Sequence, residues 1–306
     1  FILNRIQGVI FIMAFSGFSF FRELRELWRF QSLLVNERSI VFYAEDATSF
    51  IYFEGLIKEL TMNLGRKICY LTSDPNDPIL RYGNDKIRSF YIGKGMVRVY
   101  LFLSLKADVM VMTMPDLEIF HIKKSKNYHV HYIYVFHSMV STHLIYRKGA
   151  FDHFDTILCI GRHHVDEIRA TESAYELKTK ILLECGYGHL EALLKKKLEW
   201  ERQHDPIDHS GKQILIAPSW GPNALLETCG VELVKILLRS GYYVTVRPHP
   251  ETTKKSPHVI YSIKNQFHGN PKFNLETDIR SQESFYYSYC MISDWSGVAL
   301  EYAFAL

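Results

Sequence analysis

Several common functional motifs are missing from this sequence. It contains no Cys-x-x-Cys pair, no Gly-x-Gly-x-x-Gly fingerprint, no Walker phosphate loop and no His-Glu-x-x-His motif. The missing cysteine pairs and histidine spacing argue against a zinc site, and the missing glycine-rich loops argue against dinucleotide or ATP binding of the usual kind. The sequence therefore predicts no bound metal and no cofactor.

The chain also has little excess of either positive or negative charge. The 306 residues carry a formal net charge of only +3, which gives no sign of a general nucleic-acid binder. No internal repeat or low-complexity segment is present. Five scattered cysteines in mostly apolar surroundings are interpreted as reduced core residues of a cytosolic protein: Cys69, Cys159, Cys185, Cys229 and Cys290.

The N-terminal region combines an uncharged run with a basic one. No charged residue occurs from Ile6 to Phe21, and the next residues place Arg22, Arg25 and Arg29 on one side of an amphipathic helix that includes Trp28. Such a pairing is typical of attachment at a membrane interface. Residues 1–35 are therefore predicted to be a membrane-associating segment, the alternative being a buried helix pair packed on the first domain.

From residue 39 onward, apolar strands alternate with helices. Continuous apolar strands separated by helices predict parallel sheets covered on both faces. Strands are predicted over 39–44, 67–72, 89–92, 108–113, 131–136, 156–160, 213–217, 242–247, 273–275 and 289–292. The main predicted helices cover 50–64, 96–106, 223–238, 256–267 and the apolar run after residue 297.

A polar, charged stretch from Lys195 to Lys212 interrupts this alternation and is the best candidate for a linker. It divides the chain into predicted domains at 36–200 and 212–306. Two doubly wound, Rossmann-like halves would place a ligand in a central cleft at the carboxyl ends of their strands. Because the sequence begins at Phe1 and ends inside an apolar run, we also expect it to be a fragment.

Polar residues cluster directly after four of the predicted strands. Each cluster would face the same crevice of an open parallel sheet. They are His137-Ser138, Pro218-Ser219-Trp220-Gly221, Arg247-Pro248-His249-Pro250 and Ser293-Asp294-Trp295-Ser296-Gly297. An arginine fork, a histidine and the amides at a helix N-terminus all suit phosphate, so a phosphate-binding cleft is predicted.

The segments Ile214–Trp220, Val246–Pro250 and Ile292–Gly297, in this order and spacing, resemble the CDP-glycerol glycerophosphotransferases of teichoic acid synthesis. That family consists of bacterial, peripheral membrane enzymes with the GT-B fold. Phe136-His137-Ser138 and Glu184–Tyr187 extend the resemblance into the first half, so that it covers roughly residues 130–306. Ser138, Gly188-His189, Gly221 and Gly297 depart from the family pattern.

The resemblance implies a role for each matching residue. His137 and His249 would be catalytic, His137 as the general base and His249 at the donor diphosphate. Pro218, Ser219 and Trp220 would bind the nucleotide. The donor phosphates would contact Arg247, Ser293, Asp294, Ser296 and Gly297.

The expected activity is transfer of a polyol phosphate, such as glycerol phosphate, from a CDP-activated donor to a hydroxyl of a membrane-linked glycan or polymer. The expected location is the cytoplasmic face of the bacterial membrane, with no nucleic-acid partner. Two alternatives stay open. One is a GT-B glycosyltransferase that uses a nucleotide sugar, and the other is a non-catalytic nucleotide-binding protein of envelope assembly.

Overall fold

The computed structural model describes residues 19–82, 84–204, 212–278 and 283–305. The chain forms two compact units, the first from residues 1–137 and 141–188 and the second from residues 138–140 and 189–306. Residues 6–18 of the predicted uncharged run lie outside the described residues.

The first unit is built on a parallel sheet, to which the described residues contribute seven strands in the order β3-β2-β1-β4-β5-β6-β7. The strands are β1 Ile40–Ala44, β2 Ile68–Thr72, β3 Ile87–Tyr91, β4 Val109–Met112, β5 His131–Val135, β6 Thr156–Cys159 and β7 Ile181–Glu184. The strand order reverses between β1 and β4, as in a doubly wound sheet.

Helices follow most of these strands. Residues 19–31 form helix α1. The others in this unit are α2 Phe50–Lys58, which a π-helical turn at Glu59–Asn63 extends, α3 Met96–Ser104, α4 Thr142–Ile145 and α5 Arg162–Ala174. Short 3-10 turns cover Val35–Arg38, Ala47–Ser49 and Pro78–Arg81.

Both faces of the first sheet are buried, as the apolar strands predict. Along β1, Val41 and Tyr43 belong to one core cluster, whereas Phe42 and Ala44 belong to another. Successive side chains of a strand point to opposite faces, so the two clusters lie on opposite sides of the sheet. Burial on both sides explains why β1 carries no charged residue.

Helix α1 belongs to the first of these clusters. Leu27 and Phe30 are 6% and 1% exposed and pack in the core, whereas Trp28 is 70% exposed. Residues 19–31 therefore pack with the first unit, as in the alternative given above, because Leu27 and Phe30 bury their apolar surface in its core. The predicted membrane association of this region stays a prediction.

The second unit contains a smaller parallel sheet of four described strands in the order β10-β9-β8-β11. These are β8 Gln213–Ile216, β9 Tyr243–Val246, β10 Phe273–Leu275 and β11 Cys290–Ile292. Its helices are α6 Gly188–Gln203, α7 Leu225–Arg239, α8 Pro250–Lys255, α9 Pro257–Phe267, α10 Glu283–Tyr287 and α11 Gly297–Ala305.

The predicted linker begins inside helix α6. Leu193 of this helix is fully buried with Leu215, Phe285 and Ala305 of the second unit. Residues 189–200 therefore belong to the second unit, although the sequence assigned them to the predicted domain at 36–200. The charged residues on the outer side of α6 made the helix resemble a linker in the sequence.

Strand β7 and helix α5 were not predicted. Among the described strands, β7 lies at the edge of its sheet, and it is mostly exposed. Two of the cysteines expected in the core, Cys185 and Cys229, are exposed, while Cys69 and Cys159 are buried. Among the described residues, no helix is long and apolar enough to cross a membrane.

Candidate functional site

Strand order places one polar cluster at a reversal point of the second sheet. Strand β8 pairs with β9 on one side and with β11 on the other. The carboxyl ends of β8 and β11 therefore flank the point where the strand order reverses, which is where ligands bind in open α/β sheets. Ser219 lies just after β8, and Ser293 and Asp294 lie just after β11.

The carboxylate of Asp294 holds the chain that follows β8. Its Oδ1 accepts a hydrogen bond from the backbone N–H of Ser219 at 2.6 Å, and its Oδ2 accepts one from the N–H of Leu225 at 2.9 Å. Leu225 is the first residue of α7, whose N-cap Ala224 provides no side-chain acceptor. Asp294 therefore caps α7 from a distant part of the chain and positions the predicted nucleotide-binding loop.

The structure thus gives both carboxylate oxygens of Asp294 a backbone partner. A carboxylate also repels phosphate electrostatically. The geometry favours a positioning role for Asp294 over the predicted direct contact with the donor phosphates.

The two serines of this cluster differ in their contacts. Ser293 donates its hydroxyl to the carbonyl oxygen of Ala217 at 2.7 Å, which joins the ends of β11 and β8. Ser296 is buried and directly precedes α11. The amides of Gly297 and Val298 then begin the helix, and such first-turn amides lack intrahelical acceptors. Ser296 and this helix start are the part of the cluster best suited to an anion.

Gly297 has no room for a side chain. A Cβ atom at this position would overlap the hydroxyl of Ser138 and would lie 3.2 Å from the Ser138 Cβ. The Ser138 hydroxyl is buried and has no hydrogen-bond partner among the described residues. Two of the departures from the family pattern, Ser138 and Gly297, are therefore in contact with each other.

His249 is fixed by the start of helix α8. Its Nδ1 accepts a hydrogen bond from the N–H of Glu251 at 3.1 Å, so the neutral ring carries its proton on Nε2. The His249 ring lies 6.2 Å from the ring of Trp220, and the Lys255 ammonium lies 3.9 Å from the Trp220 ring centre. These residues place a histidine, an exposed indole and a cation together at the end of β9.

Glu251 moderates the charge of this group. Burial raises the pKa of its carboxyl, but hydrogen bonds from Lys255 and Lys254 outweigh that effect and hold the pKa below its ordinary value. The carboxylate contacts Lys254 Nζ at 3.1 Å and Lys255 Nζ at 2.9 Å. Glu251 is therefore ionised at neutral pH and orients both lysines.

Arg247 is buried, although it was predicted to contact the donor phosphates. The residue is 7% exposed, its guanidinium stacks 4.6 Å above the Phe285 ring, and Nη1 lies 3.5 Å from Oε1 of Glu276. Arg247 is thus buried between an aromatic ring and a carboxylate of its own unit. Its predicted contact with donor phosphate stays a prediction.

In the first unit, His137 follows β5 among aromatic rings. The rings of Tyr52 and Tyr146 lie 6.0 Å and 6.1 Å from the His137 ring. The Tyr187 hydroxyl donates to the His137 carbonyl oxygen at 3.1 Å, and the Tyr187 ring stacks on Tyr52. His137 therefore occupies a strand end, as expected, and its surroundings fix the ring by packing.

Two other acid–base side chains of the first unit, Asp152 and His153, do not lie at that edge. They precede β6 in the chain, whereas His137 follows the parallel strand β5. Since the strands are parallel, these residues are at the opposite edge of the sheet from His137. The structure therefore argues against them as substitutes for His137.

Three further residues near these strand ends were not predicted from the sequence: Lys255, Glu251 and Glu276. Glu276 directly follows β10, so the rule that found the other strand ends would also have found it. Lys255 closes the helix that begins at the predicted His249 motif. Within the described part of the chain, no three His, Cys, Asp or Glu side chains come together as metal ligands.

Comparisons by sequence give no relative: no family model matches the chain, and no curated protein matches it. Solved structures do match. The wall teichoic acid polymerase TagF, soaked with CDPG for 30 minutes, has a TM-score of 0.56 at 15% identity over 100% of this chain and 77% of its own.

A second group of similar structures consists of UDP-GlcNAc 2-epimerases. The enzyme from Methanocaldococcus jannaschii in complex with UDP-GlcNAc and UDP has a TM-score of 0.57 at 13% identity, covering 87% of this chain and 81% of its own. The enzyme from Neisseria meningitidis bound to UDP-GlcNAc has a TM-score of 0.56 at 12% identity, covering 85% and 78%. These likenesses confirm the predicted fold class, an α/β GT-B-like chain with two Rossmann-like units.

Proposed function

We propose that this chain is a transferase that moves a polyol phosphate from a CDP-activated donor to a hydroxyl of a membrane-linked glycan or polymer. The observation that carries the proposal is the cluster at the β8–β11 reversal point. There Asp294 fixes the loop after β8, and Ser296 leads into the first amides of α11. The similarity of fold to TagF, solved with CDPG, supports the choice of donor.

In this proposal the second unit binds the donor. The amides of Gly297 and Val298 and the hydroxyl of Ser296 contact the diphosphate, and His249 donates from Nε2 to a phosphate oxygen. Trp220 offers an exposed ring, which suits stacking on a nucleobase. Lys255, beside that ring, adds a positive charge near the phosphates.

The reaction is a displacement at phosphorus. The oxygen of an acceptor hydroxyl forms a bond to the β-phosphorus, and the bond from that phosphorus to the bridging oxygen breaks. CMP leaves with the electron pair, and His137 takes the hydroxyl proton as general base. Hydrogen-bond donors of the protein that contact the diphosphate stabilise the negative charge that develops on it in the transition state, and this lowers the activation barrier.

A second candidate is an enzyme acting on a nucleotide sugar. The observation that favours this alternative is the fold similarity to UDP-GlcNAc 2-epimerases, whose TM-score of 0.57 is about the same as that of TagF, 0.56. Both reactions need a diphosphate clamp, so the same cluster would serve either. The nucleotide and the transferred group distinguish them.

A donor screen tests the choice directly. CDP-glycerol, CDP-ribitol and UDP-GlcNAc would each be added to the purified chain, and its Tm measured. A ligand at a hundred times its Kd stabilises the folded state by about 2.7 kcal/mol, which raises Tm by several degrees. Stabilisation by a CDP-polyol alone supports the proposal, stabilisation by UDP-GlcNAc alone favours the sugar enzyme, and no shift with any favours a non-catalytic role.

Two substitutions test the phosphate contacts. His249→Ala and Ser296→Ala should each weaken donor binding by about 1.5–3 kcal/mol, because each removes a hydrogen bond to a charged group. Isothermal titration calorimetry would measure Kd, with Lys235→Gln on the outer side of α7 as the matched control. Unchanged donor affinity in both variants would contradict the assigned contacts.

We also propose that the first unit rests on the cytoplasmic membrane surface through helix α1. A groove of about 690 Å³ runs between α1 and strand β3, and four arginines and one glutamate are among the described residues that line it. Phe21 and Trp28 are 72% and 70% exposed beside it. Basic and aromatic side chains together suit an anionic lipid surface.

A further inference from the structure

The turn between β3 and α3 has an unusual composition for a strand end. It consists of Gly93, Lys94 and Gly95, and it leads into the nine residues of α3 at the carboxyl edge of the first sheet. Gly95 is the N-cap, and no side chain caps the helix. The amides of the first turn therefore point toward an exposed loop without a side-chain acceptor.

A buried positive charge lies beside this turn. Arg98, in the first turn of α3, is only 9% exposed. Its Nη1 donates to the hydroxyl of Tyr43 at 3.1 Å, and its Nε has no hydrogen-bond partner. Among the described residues, no carboxylate forms an ion pair with Arg98. A buried guanidinium that no carboxylate contacts is costly, so a bound anion in contact with it would stabilise it.

A chain of hydrogen bonds connects this guanidinium to the loop. The Tyr43 hydroxyl lies 3.0 Å from Oγ of Ser73, and Ser73 donates to the carbonyl oxygen of Gly93. Burial raises the pKa of Tyr43, so its hydroxyl stays neutral and supplies no compensating charge. Arg98 is thereby linked to the Gly93–Gly95 turn through the hydroxyls of Tyr43 and Ser73.

We propose that the Gly93–Gly95 turn is a binding site for a phosphate group. The first-turn amides of α3 would contact the phosphate oxygens, Lys94 would approach from the exposed side, and Arg98 would supply positive charge from below. The site belongs to the first unit, whereas the donor cluster after β8 and β11 belongs to the second. Its ligand class is a phosphate mono- or diester, such as an acceptor would carry.

Glu23 sets the strength of this site. Its carboxyl group is buried against Gly93, so that a Cβ atom there would overlap it, and it accepts a hydrogen bond from Ser19 at 2.9 Å. A negative charge so close to the turn opposes a bound anion. Removing that charge should therefore strengthen phosphate binding, whereas removing Lys94 or Arg98 should weaken it.

The test is a titration followed by the amide resonances of Gly93 and Gly95 in ¹⁵N NMR spectra. Inorganic phosphate and dimethyl phosphate are the two probes, each against chloride at equal ionic strength. The titrations use the His249→Ala/Ser296→Ala chain, so that the donor cluster contributes nothing and the result is independent of the proposed function. Stronger shifts with inorganic phosphate indicate a monoester ligand, and stronger shifts with dimethyl phosphate indicate a diester.

We expect saturable shifts, a several-fold weaker Kd in Lys94→Gln, and a Kd at least tenfold weaker in Arg98→Met. Glu23→Gln should bind several-fold more tightly. Lys94 is exposed, so its variant keeps the test valid even if Arg98→Met does not fold. The proposal is overturned if neither probe shifts the turn amides, or if Lys94→Gln and Glu23→Gln bind phosphate as the parent does.

Discussion

The two units organise their strand ends in different ways. In the first unit, His137 is surrounded by tyrosine rings and is fixed mainly by packing. In the second, the loop after β8 is held by two hydrogen bonds to a single carboxylate, Asp294. Packing spreads the stabilisation over many contacts, whereas a charged hydrogen-bond hub concentrates it in one residue. Substitutions should therefore have sharper effects in the second unit.

The largest effect should come from Asp294→Ala. The change removes two hydrogen bonds to a charged group, each worth about 1.5–3 kcal/mol, and leaves two backbone amides without their acceptor. We expect a clear loss of stability and of donor binding, measured by chemical denaturation and calorimetry. Glu232→Gln, which breaks an exposed ion pair on α7, is the control and should change stability by less than about 0.5 kcal/mol.

Asp294→Asn sharpens the same comparison. Asparagine keeps one acceptor oxygen in a side chain of similar shape. The stability and donor affinity of this variant should therefore lie between those of the parent and those of Asp294→Ala. An alanine variant as stable as the parent would show that the loop is held by packing, and the contrast between the units would fail.

In the first unit, His137→Ala should reduce turnover about 100-fold, since general base catalysis commonly contributes that much. Donor affinity and stability should change little, because the aromatic neighbours remain. Steady-state kinetics with the donor found in the screen gives the result. Asp152→Asn, at the opposite sheet edge, should keep full turnover, and a His137→Ala chain with parental turnover would place the base elsewhere.

The contact between Ser138 and Gly297 allows a smaller test. Gly297→Ser should lower the free energy of unfolding by about 1–3 kcal/mol through overpacking. Ser138→Gly should be nearly neutral, because the hydroxyl it removes has no hydrogen-bond partner.

The double variant Ser138→Gly/Gly297→Ser should regain most of that loss. Residues in contact couple in this way, and urea denaturation of all four chains measures the coupling energy. Additive effects of the two changes would mean that the side chains do not compete for the same space.

The smallest effect concerns the surface of α1. Arg25→Gln should weaken binding to vesicles containing anionic lipid by about 1 kcal/mol, roughly fivefold, with the effect fading at high salt. Co-sedimentation measures it, with Arg239→Gln on the second unit as the control. If the parent, Arg25→Gln and Arg239→Gln bind the vesicles equally, the proposal that α1 contacts the membrane is wrong.

A deletion of the whole N-terminal segment would not give a clean answer. Leu27 and Phe30 belong to the core of the first unit, and losing a buried Phe side chain alone costs about 3–5 kcal/mol. Surface substitutions on α1 avoid this, because Arg25 lies outside the core.

Much of the fold could be predicted from the sequence because the relevant signals are local. Buried parallel strands such as β1 and β2 are continuous apolar runs, and turn residues end them. The exposed edge strand β7 and the polar-faced helix α6 lacked those signals, so the first was missed and the second was interpreted as a linker. Strand ends also gave the positions of His137, Ser219, His249 and Ser293.

The sequence by itself determined the α/β class, the alternation of strands and helices, and the strand ends where polar residues collect. Only the tertiary structure decided which of those residues meet. Asp294 contacts amides 75 and 69 residues away in the chain, and Ser138 lies against Gly297. Local periodicity depends on the few residues around each position, whereas such contacts depend on strand order and register, which bring distant segments to one sheet edge.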